Sequence, residues 1–390
     1  MTVKIVLYSH DSAGLGHIRR NLAIAHALAA GLNEPVTGLL VAGRPEATRF
    51  AAPEGWDWLI LPGVQHARDG YGSRALDIGL DTATALRGAV FRAAVRRFCP
   101  DLVVVDRHPF GVGRELESAL RSLRVEQPDC RIVLGLRDVL DAAPAAAAEW
   151  RAIGGGSALR SVLDAIWAYG DPRAHDLTVA GELPADLHDL VSHTGYLAHG
   201  RIAGHRHGIE RPFVLTTVGG GVDGVELAAA AAAAAVPDGI RHLVVTGPQM
   251  PDEDRLRVIG AARPGTEVVR RVPDVLPLMR TAEAVVCMAG YNTICEVMST
   301  TTPALVAPRV QRRDEQRIRA GALARIGAIE ALSPWQTGPE EIGDWFAQNA
   351  GRRTARTGLA LDGLARIPVL AAELLTGRIE RVAGGDRVAV

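Results

Sequence analysis

Lysine is almost absent from this chain of 390 residues: Lys4 stands alone, and every other basic side chain apart from histidine is arginine. A GC-rich coding bias accounts for that better than a phosphate-binding surface would. Cysteine is scarce as well. Cys99, Cys130, Cys287 and Cys295 are scattered, with no C-x-x-C pair and no histidine at finger spacing. That excludes a disulfide framework or a zinc module and fits a reducing compartment. The formal net charge is −1, so no nucleic-acid partner is indicated. Long apolar runs are missing too: the longest, 227–236, is mostly alanine and far shorter than a bilayer span. The chain enters a strand almost at once, without the basic and apolar regions of a signal peptide. The expectation is a cytoplasmic protein; peripheral contact with the inner face of the membrane needs no spanning segment and stays compatible.

What is present describes a soluble globular protein, 48% hydrophobic and 22% charged. The length exceeds one ordinary core, so two domains are expected. Short β-branched runs at 4–9, 36–41, 57–61, 102–106, 132–136 and 165–169 alternate with helical stretches at 17–30, 82–98, 113–124 and 158–163. Such alternation predicts a mostly parallel sheet covered by helices on both faces. The pattern breaks over 196–212 and restarts with strands at 213–217, 242–246, 267–269, 284–288 and 304–307, with a helix at 225–235. A terminal helix or helix pair is expected over 353–375. The fold class is therefore α/β, with two Rossmann-like domains facing across a cleft. The expected boundaries are 1–196, a linker or hinge at 197–211, 212–375, and a tail at 376–390. Ligands in such sheets sit outside the carboxyl ends of the strands.

Four segments carry chemistry. His10-Asp11-Ser12-Ala13-Gly14-Leu15-Gly16-His17-Ile18-Arg19-Arg20 follows the first strand. Gly14 and Gly16 let the backbone approach a bound group, and the next helix points its positive end at it. A dinucleotide fingerprint needs a third glycine where Arg19 stands, which argues against NAD. His17 opens the helix toward the cleft, where an imidazole can take a proton from a hydroxyl or bind a phosphate. A helix-start histidine without chemistry is the plainer reading. Asp106 ends the run Asp101-Leu102-Val103-Val104-Val105-Asp106, where it could orient an imidazole or bind an acceptor, or simply cap a helix or pair with Arg107.

In the second half, Gly219, Gly220 and Gly221 follow a strand and offer N–H donors to a diphosphate; a flexible turn is the alternative. No G-K-[ST] follows, which excludes a nucleotide-hydrolysing P-loop. The fourth segment is Met288-Ala289-Gly290-Tyr291-Asn292-Thr293-Ile294-Cys295-Glu296, trailed by Asp314-Glu315-Gln316. Asn292 and Thr293 can cap a new helix, with Glu296 three residues on closing a capping box. Alternatively a phosphate sits over the turn at Ala289 and Gly290, with Glu296 on a ribose. His199, His205 and His207 lack a carboxylate or cysteine at ligand spacing, so no metal is expected there. No D-x-D stands in a loop after a strand, so no Mg²⁺ site is indicated.

Together these segments resemble the GT-B glycosyltransferases of family 28, related to the lipid I N-acetylglucosaminyltransferase of peptidoglycan synthesis. They also look like a bacterial branch of predicted glycosyltransferases with a D-S-x-G-x-G-H-x-R-R start. The resemblance covers both domains and is strongest over 213–330. It implies a cofactor-free, metal-independent, inverting transfer of a hexose from a nucleoside-diphosphate sugar, UDP favoured, to an unknown acceptor. It puts the donor diphosphate on Gly219–Gly221 and the 289–290 turn, the ribose on Glu296, the base edge at Val272, and the sugar hydroxyls on Asp314 and Gln316. His17, with Gly14, Gly16 and Arg19 around it, faces the acceptor. The first loop departs from the G-G-T-G-G-H of the lipid I branch, and Arg317 stands where that branch has a second glutamine. Two other functions fit the same scaffold: a sugar-nucleotide 2-epimerase, and a nucleotide-sugar binding protein without transfer activity.

Overall fold

The computed structural model describes residues 2–10, 14–67, 70–202, 204, 212–309, 313–333 and 338–385. It opens with β1 (Val3–Tyr8), α1 (Gly16–Gly31), β2 (Val36–Ala42) and β3 (Trp56–Ile60). An antiparallel hairpin follows, β4 (Val64–Ala67) with β5 (Gly70–Ser73). Then come α2 (Leu80–Phe98), β6 (Leu102–Asp106), α3 (Glu117–Glu126) and β7 (Arg131–Arg137). Two helices, α4 (Ala143–Ala152) and α5 (Gly155–Arg160), lead to β8 (Ala165–Tyr169) and β9 (Val191–His193). Seven strands form a parallel sheet in the order β3-β2-β1-β6-β7-β8-β9.

The second sheet is also parallel. It is built by β10 (Phe213–Thr217), α6 (Val225–Ala233), β11 (Arg241–Val245), α7 (Asp252–Ala261) and β12 (Thr266–Val269). It continues through α8 (Leu276–Thr281), β13 (Val285–Met288), α9 (Tyr291–Met298), β14 (Ala304–Ala307), α10 (Glu315–Arg325) and β15 (Glu330–Ala331). Its six strands run β12-β11-β10-β13-β14-β15. Strands β6, β10 and β13 are buried along their whole length, as expected of β-branched runs with helices on both faces. The fold class expected from the sequence is the one observed.

Strand order reverses between β1 and β6 in the first sheet and between β10 and β13 in the second. A crevice opens where neighbouring crossovers leave to opposite sides, and ligands of parallel sheets bind there. The His17 loop and Asp106 lie at one reversal, and the Gly219–Gly221 loop and the 289–296 segment at the other.

Two features cross the expected boundaries. The closing part of the chain, assigned to the second domain as far as 375 and to a tail beyond it, forms α11 (Pro339–Asn349) and α12 (Gly363–Gly385), and α12 packs on α1 of the first. The helices touch so closely that a Cβ on Gly31 would lie 2.6 Å from Pro368. The expected hinge also begins as packed structure: Tyr196, Leu197 and Ala198 are buried. Tyr196 N–H donates to Ala360 O at 2.8 Å and His199 N–H to Leu361 O at 2.9 Å, so two strands of chain cross together. The middle of the linker, with His205 and His207, lies outside the described residues.

Ion pairs bridge the domains. Arg319 of α10 meets Asp138, just past β7, at 2.6 Å, and neither side chain is exposed. Arg319 also donates to Ala289 O at 2.9 Å. Arg137 pairs with Glu315 at 2.5 Å, and Asp141 accepts from Asp314 N–H at 2.9 Å. Removing one partner of a buried pair strands the other charge, typically at about 3–5 kcal/mol. Arg319→Met should therefore lower the melting midpoint by about 5 °C. The double variant Asp138→Leu/Arg319→Met should recover much of the loss. A single variant that melts like the wild type would show that the pair carries no such weight.

Candidate active site

His17 stands in the first turn of α1, at the carboxyl end of β1, because Gly16 begins the helix as soon as the loop ends. Asp106 closes the neighbouring β6. Adjacent strand ends thus bring two residues 89 positions apart into contact, with His17 Nδ1 2.7 Å from Asp106 Oδ2. Arg20, one turn along α1, donates through Nη2 to both Asp106 oxygens, at 2.7 and 2.6 Å. Its Nη2 is 2.9 Å from His17 Nδ1. With those protons committed to the carboxylate, the network assigns the His17 proton to Nδ1, facing Asp106, and leaves a lone pair on Nε2.

The electrostatics agree. Burial alone would raise the Asp106 carboxyl, but Arg20 and then His17 outweigh it and hold it well below the usual carboxylate range. Burial lowers His17 from 6.5, and the Asp106 charge offsets only part of that. The pair is thus a neutral imidazole hydrogen-bonded to a carboxylate. Two further histidines join it. The His10 and His108 ring centroids are 4.0 Å apart, and His10 is 5.6 Å from His17. Burial keeps both well below 6.5. Both follow a strand end, the address that drew attention to His17 and Asp106, yet sequence reading gave them no role. Asp11, Ser12 and Ala13 of the same motif lie outside the described residues.

On the facing domain, the glycine loop needs its glycines. Gly219 has φ 65° and Gly221 φ 91°, and a Cβ on Gly221 would lie 2.3 Å from Thr246 O. The loop abuts the turn after β13: Thr293 Oγ1 is 4.0 Å from where a Cβ on Gly219 would stand. Gln249, unremarked in the sequence, reaches both loops, 2.7 Å from such a position on Gly220 and 3.8 Å from one on Gly14.

The capping-box reading of Asn292, Thr293 and Glu296 is overturned, because α9 starts after Gly290 with no side-chain cap. Thr293 stays beside the glycine loop of its own domain, and the other two side chains turn across the cleft. Asn292 Nδ2 donates to Gly16 O at 2.8 Å, and its Oδ1 accepts from Arg201 at 3.2 Å. Glu296, nearly buried, accepts from Arg19 at 2.7 Å. Arg19, expected on the acceptor side, thus lies against the carboxylate expected to hold a ribose. Tyr291 lies between Arg20 and Arg319, 5.4 and 5.7 Å from its ring.

The remaining candidates are spread along the same cleft. Val272 is half-buried, and Asp274 two residues on lies 3.8 Å from Arg19. Gln316 is buried and accepts from Arg309 N–H at 3.2 Å, whereas Asp314 is half-exposed beside Arg317. Between them Glu315, silent in the sequence reading, is buried; burial would raise its carboxyl, but Arg137 and its neighbours hold it down at about 2. Among the described residues no group of three or more His, Cys, Asp or Glu could hold a metal ion, and no helix is long and apolar enough to cross a membrane.

No family model matches the chain. An uncharacterized glycosyltransferase of Methanosarcina mazei is 27% identical over 135 residues, 34% of each chain. A UDP-N-acetylglucosamine–N-acetylmuramyl-(pentapeptide) pyrophosphoryl-undecaprenol N-acetylglucosamine transferase of Corynebacterium efficiens is 28% identical over 137 residues, 34% of this chain and 36% of that one. The match thus spans about a third of these curated relatives' length. Solved structures align over nearly everything. The glycotransferase of kitacinnamycin has a TM-score of 0.59 at 16% identity, covering 97% of this chain and 98% of its own. The glycosyltransferase VinC, solved in complex with dTDP, also has a TM-score of 0.59 at 16% identity, covering 98% and 100%. Two parallel sheets facing each other at their points of strand reversal give this chain the two-domain GT-B fold of those glycosyltransferases, and bear out the resemblance seen in its motifs.

Proposed function

We propose that the chain transfers a hexose, N-acetylglucosamine being one candidate, from a nucleoside-diphosphate sugar to an acceptor hydroxyl. The observation that carries this is the His17–Asp106 pair facing the glycine loop and the 289–296 segment across one cleft. His17 Nε2 takes the acceptor's proton as the acceptor oxygen attacks the anomeric carbon. The bond from that carbon to the diphosphate oxygen breaks, the electron pair leaves with the nucleoside diphosphate, and configuration inverts. Asp106 stabilises the imidazolium so formed.

Backbone N–H groups of the Gly219–Gly221 loop and the start of α9 receive the charge growing on the diphosphate, each such donor being worth on the order of 2.7–4 kcal/mol elsewhere. That division of labour needs no metal. Glu296 holds the ribose, Val272 the base edge, and Asp314 and Gln316 the sugar. UDP is the favoured carrier, in keeping with the donor in the name of the Corynebacterium relative. The acceptor meets the first domain around Gly14, Gly16 and His17. The reaction takes place in the cytoplasm, with docking at the inner membrane face open to an acceptor carried on lipid.

His17→Ala should cut turnover roughly 10²–10⁴-fold while leaving UDP affinity by calorimetry within about twofold. Wild-type turnover in that variant would reduce His17 to a helix-start residue. Because the base must be unprotonated, activity should be level above the His17 pKa and fall as pH drops through it. The acid limb of kcat/KM should therefore lie below 6.5. Asp106→Asn, which removes the charge that supports protonation, should move it lower still; a limb at or above 6.5 would contradict the assignment. Chelator should leave turnover unchanged, and a complete loss restored by Mg²⁺ would sink the metal-free mechanism.

A further inference from the structure

Glu296 is the donor-site carboxylate, yet its side chain is only 4% exposed. What covers it is Arg19, which reaches from the first turn of α1 and donates from Nη2 at 2.7 Å. The Glu296 charge, outweighing burial, raises the Arg19 guanidinium above its ordinary value. Arg19 thus occupies Oε1, one of the two carboxylate oxygens that a ribose diol would use. A second carboxylate is already within its range: Asp274 Oδ1 lies 3.8 Å from the same Nη2. Asp274 is fixed from two sides, accepting from Gly204 N–H at 2.6 Å and from Leu276 N–H at 3.1 Å. Arg19 itself is less constrained, its side chain 37% exposed.

We propose that Arg19 is a displaceable plug of the ribose subsite, paired with Glu296 when no donor is bound and passed to Asp274 when a nucleoside diphosphate arrives. This rests on the reading of Glu296 as the ribose ligand. The plug links donor binding to the opposite domain, since the side chain that leaves Glu296 belongs to the helix that carries His17. Donor arrival moves Arg19 wholly onto Asp274, and Glu296, losing its cation, accepts hydrogen bonds from the ribose hydroxyls in its place. A ligand that must first displace a closed form binds more weakly by the fraction of molecules that are open.

The test is calorimetric titration of UDP, with GDP and dTDP in parallel, into wild type, Arg19→Ala, Asp274→Asn, the double variant and Glu296→Gln, with melting curves to confirm that each is folded. Arg19→Ala should bind the preferred nucleotide about fivefold more tightly than wild type. Asp274→Asn should bind it more weakly, and the double variant should behave as Arg19→Ala does, because Asp274 matters only as the place Arg19 goes. Unchanged or weaker binding by Arg19→Ala overturns the plug, and if Glu296→Gln still loses about tenfold the ribose reading survives it. Unchanged binding by Glu296→Gln removes the ribose reading and the plug together. Binding of no nucleotide by any of these chains does the same.

Discussion

Arginines whose carboxylate partners lie across the cleft hold the two domains in one arrangement. Arg319 with Asp138, Arg137 with Glu315 and Arg19 with Glu296 each join elements from different sheets. A guanidinium offers a planar fork that can engage a carboxylate along two bonds, which an ammonium cannot. Arg319 uses it so on Asp138, through Nε and Nη2, while Nη1 takes Ala289 O. A basic repertoire drawn almost wholly from arginine, unremarkable as coding bias, supplies the group this interface needs. Such pairs add little net stability, because desolvation opposes the attraction, but they penalise any arrangement that leaves a partner alone. The cleft is therefore specified in geometry more than it is strengthened.

Much of the scaffold was legible in the sequence, because buried parallel strands advertise themselves as β-branched runs. The segments at 102–106, 165–169, 213–217 and 304–307 match β6, β8, β10 and β14 to the residue. The elements that escaped carry little of that signal. β15 is two exposed residues, β9 is three, and the β4–β5 hairpin has glycines and polar residues where a strand usually has apolar ones. α4 escaped because its alanine-rich stretch has no strong apolar stripe.

The candidate site was legible by address. Asp106 ends a strand, Gly219 and Gly290 lie in the turn after one, and His17 opens the helix that follows one, so strand order brings them to the two reversal points. The partners of those residues could not be read. Glu296 has capping-box spacing, and only the opposing domain explains why it turns to Arg19 instead. Tyr291 stands in the motif itself, but its place between Arg20 and Arg319 depends on how the domains meet. Local pattern reports what a segment does with its own backbone, and contacts made across nearly 300 residues leave no trace in it.

The close fit of Gly31 against Pro368 bears on how the molecule is made. α1 lies near the start of the chain and α12 near its described end, so the first domain encloses the second in sequence. Domains that emerge from the ribosome in order can usually fold in order. Here the first cannot cover the outer side of α1 until the whole of the second has been synthesised. During that interval the α1 surface waits exposed, and the second domain can complete its own sheet before the first is finished.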